Sequence, residues 1–361
     1  MINGMIIAID ARMIEMSGIG TYIQHLMGKG IYDYAIGNKN LIKKYDKTVK
    51  IIHFEATIYG LKEQLGFPVK AIKAAKIELL HFPHYNVPVL YKGKYIVTVH
   101  DLTHIFFPEF LGNKIKYYYA KFLMDNAVKM ARHVFTVSEN SKKDICSIFK
   151  TNKDKISVTY NAVDKNFKVK RKESIEYLYE KFSIPKGKNI ILYVGNLKPH
   201  KNIGNLLKAF NILDCKKDCI LVLVGKAFAN YKLKEQEEQL GIKQSVFYTG
   251  LVSKEELVDL YNLANIFVFP SLYEGFGIPL LEAMACGTPV VAANNSSIPE
   301  VVGNAALLFN AYDINDIAEK IQQLLTDKDE QMKCVERGFE RISGFSWDNT
   351  VSDVKRIISI M

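Results

Sequence analysis

Glu274 and Glu282, with seven residues between them, lie in the run 270-PSLYEGFGIPLLEAMACGTPVV-291. Gly275 and Gly277 precede an apolar stretch ending at Gly287, a residue type suited to stopping a helix. Pro279 falls in what would be the first helical turn, where its missing N–H costs nothing. The amides of Phe276, Gly277 and Ile278 then lack intrahelical acceptors and form a cradle for a phosphate. Glu274 falls in the loop before this helix and Glu282 about one and a half turns inside it, so the two need not share a face. A carboxylate accepts well from paired hydroxyls such as those of a sugar. The stretch 277-GIPLLEAMACG-287 is otherwise nearly all apolar, so Glu282 is expected to be buried or ligand-paired rather than solvated. The chemistry on offer is anion binding at backbone amides, beside carboxylates that grip hydroxyls.

A second glycine pair, Gly18 and Gly20 in 17-SGIGTY-22, follows the first apolar run. Position 23 is Ile and no acidic residue marks a strand end ~20 residues on, so this is no dinucleotide fingerprint. Two readings stand: a phosphate or acceptor contact at a helix start, or a turn serving only the fold. The five cysteines, Cys146, Cys215, Cys219, Cys286 and Cys334, are odd in number and scattered. Only Cys215 and Cys219 are close, and no second Cys/His pair sits at zinc spacing, so neither a disulfide nor a zinc site is expected.

These residues need elements to hold them. Short Ile- and Val-rich runs, as in strands covered on both faces, occur at residues 5–9, 49–54, 78–82, 95–100, 133–138 and 156–160. They resume at 189–195, 219–225, 246–250, 266–270 and 289–293. Helix-like stretches separate them, among them 114–132, 202–213, 230–240, 253–264, 277–286 and 313–327, with Ser253 and Glu256 spaced as a capping box. Two such alternating sets predict an α/β protein of two Rossmann-like, doubly wound parallel-sheet domains. The expected domains are residues 1–167 and 168–345, with the charged stretch 165–188 as linker and a last helix, 346–361, able to pack on either. Ligands of open parallel sheets bind at the carboxyl ends of strands, which places chemistry in the loops after them and in a cleft between facing domains.

The 361 residues, 48% hydrophobic and 24% charged, suit two folded domains. No apolar run approaches the ~20 residues of a membrane-spanning helix. MINGMIIAID lacks the basic and long apolar regions of a signal peptide and reads as a strand, so a cytoplasmic location is expected. Residues 1–167 carry 24 Lys and Arg against 14 Asp and Glu, and residues 168–361 carry 24 against 24, so the net +10 lies wholly in the first half. That asymmetry fits nucleic acid, an anionic membrane surface or a phosphorylated substrate, or else simple solubility. With no zinc-finger or RNA-binding signature, nucleic acid is not an expected partner.

The pattern E-G-F-G-x-P-x-x-E-A-M-A-C-G-x-P-V-V over residues 274–291 resembles the signature of retaining glycosyltransferases of family 4, which have two Rossmann-like domains in the GT-B arrangement. The resemblance extends through 100-HDLTHIFFPEF-110, 137-VSENSKKDI-145, 160-YNAVDKNF-167, 193-YVGNLKPHKNIGNLLKAF-210, 222-VLVGK-226 and 248-YTGLVSKEELVDLYNLANIFVFPS-271. It is nearest in flavour to bacterial mannosyltransferases of O-antigen and capsule assembly. The family resemblance implies that Glu274 lies near the transferred sugar, Glu282 on the nucleotide ribose, and Lys201 on the diphosphate. It implies that the amides of Phe276, Gly277 and Ile278 hold a phosphate or sugar hydroxyl, and that His100 faces the donor sugar. Gly18 and Gly20 match a loop near donor and acceptor, and Lys226 and Leu251 lie close to the base. Many members carry Arg at the position of Asn196, or just before the lysine, where His200 stands here. The diphosphate is then expected to rely on Lys201, Lys198 and helix N-termini.

The resemblance implies transfer of a hexose, with GDP-mannose as the expected donor and UDP-sugars as the alternative. It also implies that the glycosidic bond forms with retention, and no metal or other cofactor is expected. Retaining hydrolases set two carboxylates ~5 Å apart, and no such pair is evident. A front-face mechanism is therefore expected, in which the departing phosphate oxygen takes the acceptor's proton. The expected acceptor is a glycan or a polyprenyl-diphosphate-linked saccharide, with expected peripheral contact at the inner face of the plasma membrane. Residues 114–132, with Lys114, Lys116, Lys121, Lys129 and Tyr117 to Tyr119, either face that membrane or bury their aromatic side. Two classes compete: a nucleotide-sugar epimerase, disfavoured by the glutamate loop, and a non-catalytic relative, disfavoured by intact Glu274, Glu282, Lys201 and His100.

Overall fold

The computed structural model describes residues 4–56, 58, 60–226 and 231–361. The chain divides into two compact units, residues 1–161 with 346–361 and residues 162–345.

The first unit is built on a seven-stranded parallel sheet: β1 (Ile7–Asp10), β2 (Tyr34–Gly37), β3 (Lys50–His53), β4 (Leu79–Phe82), β5 (Tyr95–Val99), β6 (His133–Thr136) and β7 (Ile156–Val158). Its order is β3-β2-β1-β4-β5-β6-β7, so the winding reverses between β1 and β4. β1, β4 and β5 are buried along their whole length, as strands covered by helices on both faces must be. β2 was not foreseen. Four residues, one of them glycine, give too short a signal, but pairing with β1 and β3 secures the strand from both sides.

The second unit has six parallel strands: β8 (Asn189–Val194), β9 (Cys219–Val224), β10 (Val246–Gly250), β11 (Ile266–Phe269), β12 (Val290–Ala293) and β13 (Ala306–Phe309). The order is β10-β9-β8-β11-β12-β13, reversing between β8 and β11. The short edge strand β13 and the helix Lys328–Ser343 also escaped the sequence reading. That helix is polar on most faces, capped by Asp327, and held through buried Cys334 and Gly338. The capping box at Ser253 and Glu256 is present in full.

Two expected boundaries move. Residues 162–167 belong to the second unit rather than the first, because Asp164 pairs with Lys254 at 2.6 Å and Phe167 meets Tyr261 edge-on. The charged stretch 165–188 is no free linker: Ile175 and Leu178 are buried, Lys170 pairs with Asp259, and Lys181 with Glu256. The terminal helix Trp347–Ser359 groups with the first unit, where Trp347 stacks on His25 at 4.2 Å. No helix among the described residues is long and apolar enough to cross a membrane.

Candidate functional site

In the second unit, the sequence-predicted residues emerge from consecutive strand ends. Gly195, Gly225 and Gly250 close the neighbouring strands β8, β9 and β10, and Asn196, Lys226 and Leu251 follow them directly. The Gly195 amide donates to Val224 O at 2.9 Å and the Gly225 amide to Gly250 O at 3.0 Å. A Cβ on Gly225 would stand 2.1 Å from Gly195 O, so the backbones meet where only glycine fits. This row was missed as a feature, although a strand followed by glycine recurs in 190-IILYVG-195, 220-ILVLVG-225 and 246-VFYTG-250.

Lys201 ends a 3₁₀ turn, Pro199–Lys201, after β8, and Glu274 lies in the loop after β11, across the point where the winding reverses. Lys201 Nζ reaches Glu274 Oε1 at 2.5 Å, with both side chains mostly buried. The ammonium also lies 5.7 Å from the Phe269 ring centroid. Lysine, carboxylate and helix start therefore share one corner. Three loops are stitched to hold it. The Leu272 amide donates to His200 O at 2.8 Å, and the Glu274 amide to Ser296 Oγ at 2.9 Å. Ser297 Oγ donates to Glu274 O and Phe276 O at 2.9 and 3.1 Å. Ser296 and Ser297 escaped the sequence reading, though Asn-Asn-Ser-Ser directly after β12 was a signal, since site residues gather in loops at strand ends.

Gly277 adopts φ +104° and starts the helix Ile278–Ala285, with Pro279 in its first turn. Phe276 is buried against Phe345 at 5.6 Å, so its backbone rather than its ring is what the loop offers. Glu282 lies inside this helix and accepts from Tyr261 Oη at 2.9 Å. It is half-buried, and desolvation pushes its carboxyl up to about 7 against the opposing pull of Tyr261 and Lys254. Tyr261 was also missed, and nothing local in its sequence marks it. Glu274 and Glu282 thus have different partners, Lys201 for one and Tyr261 for the other.

In the first unit, His100 directly follows β5. Its Nε2 lies 3.0 Å from Pro83 O, and a carbonyl can only accept, so Nε2 carries the proton and Nδ1 the lone pair. Burial drives its pKa down to about 4 despite Asp101 and the Pro83 bond, leaving it neutral at pH 7. The Tyr22 ring meets it edge-on at 5.0 Å. Beneath runs a buried polar chain: Tyr32 Oη to His81 Nδ1 at 2.6 Å, His81 Nε2 to Thr98 Oγ1 at 2.8 Å, and Thr98 Oγ1 to Tyr22 Oη at 3.3 Å.

Gly18 and Gly20 do not form a loop ahead of a helix, as expected; both lie within the helix Ser17–Leu26. A Cβ on Gly20 would stand 2.6 Å from Ile14 O, whereas one on Gly18 meets nothing within 4 Å. Gly20 therefore serves close packing, and Gly18 leaves an open surface. The connection into this helix is fixed by Arg12, which pairs with Asp10 at 2.6 Å and Glu63 at 2.7 Å, all three buried. The guanidinium lies 5.5 and 5.7 Å from the Phe54 and Phe67 ring centroids.

Among the described residues no group of three His, Cys, Asp or Glu could hold a metal ion, and all five cysteines are free thiols.

Residues 175–341 match the family model for glycosyl transferases group 1, and residues 55–167 match that for Glycosyltransferase Family 4. The chain is 30% identical over 282 residues to O-antigen chain mannosyltransferase B of Escherichia coli, covering 77% of this chain and 73% of that one. It is 32% identical over 279 residues to O-antigen chain mannosyltransferase RfbU of Salmonella typhimurium, covering 77% and 72%. The crystal structure of Anabaena Alr3699/HepE in complex with UDP and glucose is similar at TM-score 0.80 and 20% identity, covering 99% of this chain and 100% of that one. The fold is thus GT-B, with two Rossmann-like parallel-sheet units.

Proposed function

The chain belongs to glycosyltransferase family 4, and from that premise we propose that it transfers mannose from GDP-mannose, with retention, to a growing cell-surface polysaccharide. The acceptor in this reading is a glycan or a polyprenyl-diphosphate-linked saccharide at the inner face of the plasma membrane. One observation carries the reading: Lys201 and Glu274 meet at 2.5 Å beside the start of the helix Ile278–Ala285. A nucleoside diphosphate needs positive charge as it departs, and the hexose needs acceptors for its hydroxyls. This corner supplies both.

In the proposed reaction Lys201 and the first amides of that helix bind the diphosphate and take up the charge that grows as the anomeric C–O bond breaks. The acceptor oxygen bonds to the anomeric carbon on the face the diphosphate leaves. Its proton passes to the departing phosphate oxygen, giving a nucleoside diphosphate and the extended glycan. Glu274 accepts from sugar hydroxyls and Glu282 from the ribose. His100 offers Nδ1 as a neutral acceptor to a sugar hydroxyl. Lys226 and Leu251 are assigned to the base side, Asn196 to the donor's diphosphate side, and Gly18 to the open surface near donor and acceptor. Lys201 supports charge neutralisation without a metal.

Thermal melting with GDP, UDP, dTDP and ADP in the presence of EDTA tests the donor. Selective stabilisation at 100 times Kd is worth about 2.7 kcal/mol, or roughly 5–10 °C for a unit of this size. A shift with UDP instead of GDP moves the donor to a UDP-hexose. Product stereochemistry by NMR tests retention, and an inverted linkage or a metal requirement overturns the mechanism.

A further inference from the structure

Lys201 and Glu274 are assigned to different parts of the donor, yet in this structure they hold each other. Nζ and Oε1 stand 2.5 Å apart, with the side chains 16% and 13% exposed. The Phe269 ring, 5.7 Å from the ammonium, supplies no anion. In a pair so far out of water, each ion is the other's main compensation. A diphosphate that takes Lys201 therefore strips Glu274 of its cation and sets a second anion beside it. The backbone is pinned on both sides of the pair. The Glu274 amide donates to Ser296 Oγ at 2.9 Å, and its carbonyl accepts from Ser297 Oγ at 2.9 Å. The Lys201 amide donates to Lys198 O at 2.9 Å in the 3₁₀ turn. Rotation of the two side chains is then the way for them to change partners.

Two kinds of ligand meet this pair differently. A nucleoside diphosphate that carries a sugar brings hydroxyl donors to the carboxylate it displaces from Lys201. A free nucleoside diphosphate brings none. It leaves the carboxylate mostly buried, without a partner and facing like charge. We propose that Glu274 is an internal competitor for the diphosphate at Lys201. It makes the site prefer a sugar-bearing diphosphate over the free one, and it reclaims Lys201 once the sugar has left, expelling the product. Selectivity of this kind arises when the wrong ligand leaves a buried polar group unpaired. The Lys201–Glu274 bond is the resting state of the site. Transfer takes the sugar hydroxyls away from Glu274 and so restores that bond. This competition rests on the proposed seats of diphosphate and hexose at Lys201 and Glu274, and binding measured without acceptor reads it apart from turnover.

Calorimetric binding of GDP and of GDP-mannose to the full chain, to Glu274→Gln and to Glu274→Asp is the test. The same titrations with UDP and UDP-glucose cover the alternative donor. Glu274→Gln should bind the free diphosphate about tenfold more tightly than the parent, with the sugar nucleotide within a factor of about three. Gln still accepts from a sugar hydroxyl, so the preference for the sugar nucleotide collapses rather than both affinities. In steady-state transfer, the free diphosphate should become a stronger inhibitor in the same proportion. Glu274→Asp keeps the charge and withdraws it by one methylene, so it should tighten the free diphosphate by a smaller factor. If Glu274→Gln does not melt cooperatively, Glu274→Asp alone decides. Free-diphosphate affinity unchanged or weakened in the folded variants overturns the proposal and leaves both residues in the donor site. A parent that binds neither diphosphate, or whose affinity Lys201→Ala leaves unchanged, overturns the site itself and this competition with it.

Discussion

At the scale of single residues, the Lys201–Glu274 pair carries the heaviest demand. Each charge is mostly buried and matched by the other, so removing one leaves its partner uncompensated. Lys201→Ala should lower kcat for transfer by about 10²–10³, the size seen when a donor to a developing anion is deleted. A rate within a factor of three of the parent would remove Lys201 from the chemistry. Glu282 adds a pH signature. Its folded pKa of about 7 lies above the ordinary 4.5, so the folded state holds this proton more tightly than the unfolded chain. Stability from this group is intact below about pH 4.5 and is lost as pH rises to about 7. The full shift is worth about 3 kcal/mol at most. Glu282→Gln should therefore melt several degrees above the parent at pH 8 and no higher at pH 4. If the ionised carboxylate grips ribose, GDP affinity of the parent should also rise between pH 6 and 8, and Glu282→Gln should bind weakly and flatly across that range. Calorimetric titration at three pH values separates the two effects.

At the scale of elements, the helix Ser17–Leu26 separates two uses of glycine. Gly20→Ala pushes a methyl group toward the Ile14 carbonyl and should cost about 1–3 kcal/mol. Gly18→Ala fills open space and should leave stability unchanged or raise it by up to ~1 kcal/mol. Measured together, melting and transfer rate distinguish fold from contact: a stable Gly18→Ala with impaired transfer places Gly18 against a substrate, and unimpaired transfer withdraws it. These elements also show what sequence can and cannot reveal. The glutamate loop was legible because Gly277, Pro279, Glu282 and Gly287 sit within one short window whose turn chemistry is local. Tyr261 and Ser296, which hold Glu282 and the Glu274 loop, were not. Ser296 reaches the Glu274 loop because β11 and β12 are neighbours in the sheet, and Tyr261 reaches Glu282 because the helix Lys254–Leu263 packs on Ile278–Ala285, pairings no local spacing encodes. The loop boundary at Gly18 failed for a related reason. Glycine there reads as a turn, but the close approach at Gly20 and the Arg12 cluster pull both residues into the helix.

At the scale of the whole molecule, the chain leaves its first unit at residue 161 and returns to it at 346. The first unit is therefore complete only when residues 346–361 are made. That return is strongly bonded. Trp347, Thr350, Val351, Val354, Ile357 and Ile358 are buried on the terminal helix, and Thr350 Oγ1 donates to Tyr160 O, tying the helix to the segment where the chain leaves the first unit. Five large apolar side chains at about 1.5–3 kcal/mol each match or exceed the ~5–15 kcal/mol that holds a domain together. The second unit draws none of its strands or site loops from that helix. Ending the chain at Phe345 should therefore unfold or severely weaken the first unit while the second still melts cooperatively. Calorimetry with and without GDP checks this directly. The truncated chain should lose one transition and keep a GDP-dependent shift in the other, with transfer abolished. Loss of the GDP response would mean that the second unit depends on the first for its fold. An unchanged first transition would mean that the terminal helix is an appendage and that the first unit closes its core without it.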